Sequence, residues 1–229
     1  MRYNRIAALV FRCAAFLFSF VGVALHIDLF SGSFNPGGLM YYTVQSNLLG
    51  VAMFALLAAR TAVGLKNEGR HGDNGWFSRL EFVCVIDILL TLVVYWVLLA
   101  PSAFSMGGEY YLFAFDNLAV HLITPLLCLV DYLLFTTGGR LKYRDVYAVL
   151  VYPLAYVAGT SVAGFAGYVF RLSPQDGLPV RFPYFFIDWE RTGAMCWVYI
   201  AALVVVFLVI AHVFYLLDRK VRKRAPVLR

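Results

Sequence analysis

At 229 residues the chain is 62% hydrophobic, 17% aromatic and only 14% charged, with a mean hydropathy of +0.77. A soluble globular domain is nearer half apolar and a quarter charged, so this composition excludes a soluble domain and points to an integral membrane protein. The formal charge of +6 is not the footprint of a nucleic-acid binder, because the lysines and arginines collect between apolar runs.

Runs long enough to cross a hydrocarbon core of about 30 Å recur six times, near 6–30, 41–64, 80–100, 112–135, 146–170 and 194–217. The expected architecture is all-α, a polytopic six-transmembrane-helix bundle in one integral domain, 1–229. Span one follows Arg2 and Arg5 like a signal peptide, but it is too long and has no small-x-small cleavage site, so it reads as an uncleaved helix. SGSFNPGG then breaks the helix and resets the backbone.

Span two opens on YYTVQSNLLG (41–50), where Thr43, Gln45, Ser46 and Asn47 stand at the mouth of an apolar run. Thr43, Ser46 and Asn47 share a helical face, since residues three and four apart are neighbours. Asp87 lies in span three, expected in the inner half of the membrane, and PSAFSMGGEY forms the next turn. Span four carries Asp116, Asn117, His121 and Asp131. Asn117, four residues before His121, shares its face and is the candidate orienter of the imidazole, whereas Asp116 is rotated about 140° away. In span five Ala155, Gly159, Ala163 and Gly167 form a ridge of small residues expected to admit a neighbouring backbone.

The segment 171–193, RLSPQDGLPVRFPYFFIDWERTG, mixes aromatics with charges and fits either an interfacial belt or a re-entrant, lid-like segment. Sixteen of the nineteen Lys and Arg residues fall at the N-terminus, in the second and fourth connections and in the tail, which predicts that both termini are cytoplasmic. The tail DRKVRKRAPVLR is expected to meet anionic lipid head groups. Cys13, Cys84, Cys128 and Cys196 lie singly within spans, with no zinc-like spacing, so no metal or other cofactor is expected.

Ionisable groups inside a bilayer are costly and therefore candidates for function. Thr43 and His121 fall at similar depth near the outer face, permitting contact. A hydroxyl facing a histidine in an apolar pocket suits acyl transfer, with the imidazole taking the hydroxyl proton as the oxygen attacks a carbonyl. Amides of Gln45 or Asn47, or backbone N–H groups at the start of span two, are candidates to hold the oxyanion. Thr43 also fits an N-cap, and His121 an interhelical hydrogen bond.

YYTVQSNLL, NLAVHLITPLLCLVDYLLF and FPYFF resemble the androgen-induced membrane protein family, multipass threonine hydrolases of fatty acid esters of hydroxy fatty acids. The bacterial relatives, with T-x-Q-S-N and H-x-x-x-P followed by an acidic residue, are the most similar. The resemblance covers nearly the whole chain and implies Thr43 as nucleophile, His121 as base and Asn117 where the family has an Asn. Leu118 stands where some animal members have a second histidine, and V-Q-S-N is a longer polar pattern than theirs. The implied activity is hydrolysis of a fatty-acyl lipid ester in the cell membrane, with membrane lipids and the ester as partners.

Two rival readings accompany it. Asp87 and Asp131 suggest a small-molecule or ion transporter, although matched helix interruptions are absent, and otherwise they read as structural partners of each other or of the inner basic rim. His26 and His121 suggest axial ligands of a haem.

Overall fold

The computed structural model describes residues 3–34, 36–72, 77–101, 112–136, 139–173 and 176–224. The fold is mostly helical, with six helices long and apolar enough to cross a membrane: α1 (Arg5–His26), α2 (Tyr42–Glu68), α3 (Phe77–Leu99), α4 (Phe115–Phe135), α5 (Asp145–Phe165) and α6 (Met195–Arg224). The chain is a multi-pass membrane protein. Beyond Pro101, the turn expected at 101–110 lies outside the described residues, as do residues 225–229 of the basic tail and the side chains of 221–224.

Local chemistry sets the helix boundaries. Asn4 caps α1, its side chain accepting from the N–H groups of Ile6 at 2.9 Å and Ala7 at 3.3 Å. α1 ends at His26, short of the expected 30, because the chain turns at Asp28, which holds a φ of 55°. α5 is interrupted at 149–150 between two helical pieces, Asp145–Ala148 and Val151–Phe165. Pro153 lacks the N–H that would bond the Val149 carbonyl, which weakens the ladder there. α5 then stops five residues short of the expected 170, and Gly167, at φ 93°, follows.

α1 packs along α2, α3 and α4 close that group, and α6 lies on α3. Gly22 permits the closest crossing, since a Cβ there would lie 2.7 Å from Ala119 Cβ. At one end, β1 (Tyr3–Asn4) pairs antiparallel with β2 (His71–Gly72), and at the other β3 (Arg171–Leu172) pairs with β4 (Pro179–Val180).

The small-residue ridge of α5 does not seat a neighbouring helix. Gly159 and Gly167 have open space where a Cβ would stand, and Ala155 is exposed. The buried stripe is Tyr156, Thr160 and Gly164, one residue further on. A Cβ on Gly164 would lie 2.5 Å from the Phe182 ring, so this glycine admits the 171–193 segment rather than a helix. Phe182, Phe186 and Ile187 of that segment are buried against the bundle, whereas Phe185 is exposed.

The end of the bundle near the N-terminus buries an ionic cluster. Arg12 is fully buried and grips Asp131 with two bonds, Nε to Oδ1 at 2.8 Å and Nη2 to Oδ2 at 3.1 Å. Its Nη1 donates to Thr61 Oγ1 at 2.6 Å, and the Tyr3 and Phe135 rings flank the guanidinium. Glu81, also buried, accepts from Thr136. Asp131 therefore pairs with a basic residue of this end, but in the interior, not with Asp87 and not at a rim. Asp87 sits near the middle of α3, which starts at Phe77, earlier than the expected 80; its Oδ1 has no partner among the described residues.

Candidate active site

The start of α2 is the first wall of the site. Tyr41 is the N-cap, so Thr43 is not a cap and instead lies inside the first turn. Thr43 is 7% exposed and His121 5%, and Thr43 Oγ1 stands 3.3 Å from His121 Nε2. Two helices distant in sequence thus bring the two candidate residues into hydrogen-bond reach.

His121 lies in a π-turn of α4, Ala119–Ile123, opposite a second π-turn at the end of α3, Tyr95–Leu99. Such turns widen a helix locally and recur at functional sites. Pro125 has no N–H to return to the His121 carbonyl four residues earlier, and Trp96 Nε1 donates to that carbonyl at 3.1 Å instead. The Tyr95 ring stacks on the imidazole with centroids 3.6 Å apart and 20° between planes. His121 Nδ1 lies 3.1 Å from the Asn117 carbonyl oxygen. A carbonyl oxygen only accepts, so Nδ1 carries the proton and Nε2 turns its lone pair toward the Thr43 hydroxyl, which donates.

Asn117 therefore orients the imidazole, as its spacing predicts, but through its main chain. Its side-chain amide donates to Tyr95 Oη at 2.5 Å and to the Leu112 carbonyl at 2.7 Å, fixing the ring that backs His121. The other polar groups of α2 are structural. Asn47 Nδ2 donates to the Thr43 carbonyl at 2.8 Å and to the Val120 carbonyl at 2.9 Å, tying α2 to the turn that holds His121. Gln45 faces another way, donating to the Leu39 carbonyl at 2.9 Å and accepting from Tyr152 at 2.9 Å. Asn47 Nδ2 spends both of its protons on carbonyls and Gln45 Nε2 one, so in this arrangement neither amide is directed at Thr43 Oγ1. Ser46 shares a 2.7 Å hydrogen bond with Thr91 on α3.

His26 lies edge-on to His121, centroids 5.6 Å apart, with its Nδ1 3.2 Å from Asp116. The expected rotation of Asp116 away from His121 holds. Since both ring nitrogens of His121 face Thr43 and Asn117, neither is left for an axial bond to iron, so this geometry does not fit the haem reading.

Beside Thr43 lies a partly open, mostly apolar cavity. Tyr42, Thr43, Leu90, Tyr156, Tyr184 and Phe207 are among its walls, and no charged residue lines it among the described residues. Thr43 forms part of the wall that separates the cavity from His121. α5 and α6 meet near the first turn of α5, and both helices contribute apolar lining to the cavity.

The site also contains residues that sequence reasoning did not select. Tyr184 reaches from the 171–193 segment to Thr43, whose N–H donates to Tyr184 Oη at 3.4 Å. It belongs to FPYFF, and only its aromatic company was legible. Tyr95 and Trp96 carried no signal at all, because nothing in an apolar run marks which ring meets a histidine. No family model matches the chain, and no curated protein or solved structure matches it either.

Proposed function

We propose that the protein is an intramembrane lipid ester hydrolase in which Thr43 attacks the ester carbonyl and His121 is the base. The observation that carries this reading is the 3.3 Å approach of Thr43 Oγ1 to a histidine nitrogen whose partner nitrogen is held by a carbonyl. Thr43 Oγ bonds to the carbonyl carbon while its proton passes to His121 Nε2. Collapse breaks the acyl–alkoxy bond, and His121 returns the proton to the leaving alcohol. Water, deprotonated by the same nitrogen, then cleaves the acyl-threonine and restores the hydroxyl.

The cavity, apolar and without charged lining among the described residues, suits a fatty-acyl chain. This agrees with the resemblance of YYTVQSNLL and NLAVHLITPLLCLVDYLLF to the androgen-induced membrane protein family, whose fatty acid esters of hydroxy fatty acids are one such substrate class. The proposed location is the cell membrane with both termini cytoplasmic, by the distribution of Lys and Arg, which sets the site toward the opposite face. The transport reading has less support, since Asp131 is engaged by Arg12.

A fluorophosphonate probe and a panel of fatty-acyl esters test the assignment on purified protein. Thr43→Ala is expected to abolish labelling, and His121→Ala to slow turnover by about 10²–10⁴-fold. Unchanged labelling and hydrolysis in both variants overturns the reading.

A further inference from the structure

Attack on an ester turns its carbonyl oxygen into an oxyanion, and an apolar cavity must supply donors for it. The side-chain amides nearest Thr43 are engaged elsewhere: Asn47 holds two carbonyls and Gln45 holds a third. Two further donors stand at the cavity wall. The Thr43 N–H belongs to the first turn of α2, where backbone N–H groups lack intrahelical acceptors, and it points at Tyr184 Oη across 3.4 Å, longer than an ordinary N–H···O bond of about 2.9–3.0 Å. The Tyr184 hydroxyl stands against that N–H and faces the hydroxyls of Thr43 and Tyr156.

We infer that Tyr184 Oη–H and the Thr43 backbone N–H form the oxyanion pocket of the hydrolase, a reading that rests on the function proposed above. The long N–H···Oη bond is the resting closure of this pocket. A substrate carbonyl oxygen entering from the cavity, which both residues line, replaces it and accepts a hydrogen bond from each donor. As the Thr43 Oγ–carbon bond forms, the carbonyl π pair moves onto that oxygen, and the two donors hold the charge until collapse expels the alcohol.

Tyr184 is placed in advance for this role. Its ring stacks on Phe186, with centroids 5.2 Å apart and 5° between planes, and lies edge-on to Tyr41 at 6.0 Å. Two residues before it, Phe182 is wedged over Gly164. Donors fixed before the reaction need no reorganisation as charge develops. Burial pushes the Tyr184 phenol above the ordinary tyrosine range, which keeps its proton in place at neutral pH.

The test compares an oxo ester with its thiono analogue of the same acyl chain, since sulfur accepts hydrogen bonds poorly. Wild type is expected to favour the oxo ester, and Tyr184→Phe to lose kcat by about 10²–10³-fold on it while narrowing the oxo-to-thiono ratio. Incorporating 3-fluorotyrosine at 184 keeps the ring and makes a stronger donor, so the ratio should widen. That arm serves if Tyr184→Phe fails to fold. A ratio unmoved by either change overturns the oxyanion assignment, and turnover still lost in Thr43→Ala then leaves the hydrolase reading standing. Wild type inert toward both esters overturns both readings.

Discussion

At the end of the bundle near the N-terminus, Arg12 is sealed between Asp131, Thr61 and two aromatic rings; at the other end, Thr43 and His121 meet beside an apolar cavity. Both pairs are buried and both join distant helices. The ionic cluster pairs its charges with one another and is shut off. At the Thr43 site the contacts of the Thr43 hydroxyl and N–H, at 3.3 and 3.4 Å, lie at the wall of an open volume. Burial of polar groups alone therefore does not mark chemistry. On the proposed function, what sets the Thr43 site apart is a polar pair with a base of defined tautomer beside space for a substrate.

If the first region is structural, breaking it should cost stability. Asp131→Ala removes the carboxylate that grips the buried Arg12 guanidinium, and should destabilise by about 3–5 kcal/mol in reversible unfolding in detergent. Replacing both partners with apolar residues, Arg12→Met with Asp131→Leu, should recover most of the loss. Full stability in Asp131→Ala would erase the contrast between the two ends.

The second region can be disturbed without touching Thr43 or His121. Gly164→Ala forces a Cβ to within 2.5 Å of the Phe182 ring and 2.6 Å of the Arg181 carbonyl. The expected cost is about 1–3 kcal/mol from overpacking, and turnover should fall with it because Tyr184 follows two residues later. Unchanged turnover despite lower stability would separate the Phe182 wedge from the site. The smallest effect belongs to Gly159→Ala on the exposed ridge of the same helix. With nothing within 4 Å of the new methyl, it should raise the melting temperature, by about 0.5–1 kcal/mol of helix stability, and leave activity alone. A loss of stability there would mean that a neighbour packs on the ridge.

These substitutions also show how legibility varied along one helix. In α5 the ridge Ala155, Gly159, Ala163 and Gly167 was visible as a pattern, but the residue that admits a close contact is Gly164. Spacing ranks faces of a helix without saying which face meets a partner. The face of Thr43, Ser46 and Asn47 on α2 was correctly drawn, since all three are buried while Gln45 is only partly so. Their roles were not, because an amide can donate to an oxyanion or to a carbonyl with equal ease.

By itself the sequence determined the all-α class, six membrane-length helices and the one-face grouping around Thr43, because these follow from hydropathy and helical periodicity within single segments. It also singled out His121 and the dependence of its orientation on Asn117, four residues away. Only the tertiary structure decided that the two meet at 3.3 Å, that the Asn117 main chain and not its side chain holds the ring, and that Tyr184 arrives from a segment 141 residues away. The reason is physical: contacts between helices depend on rotation, on two π-turns and on a proline-freed carbonyl, none of which leaves a periodic trace in the chain.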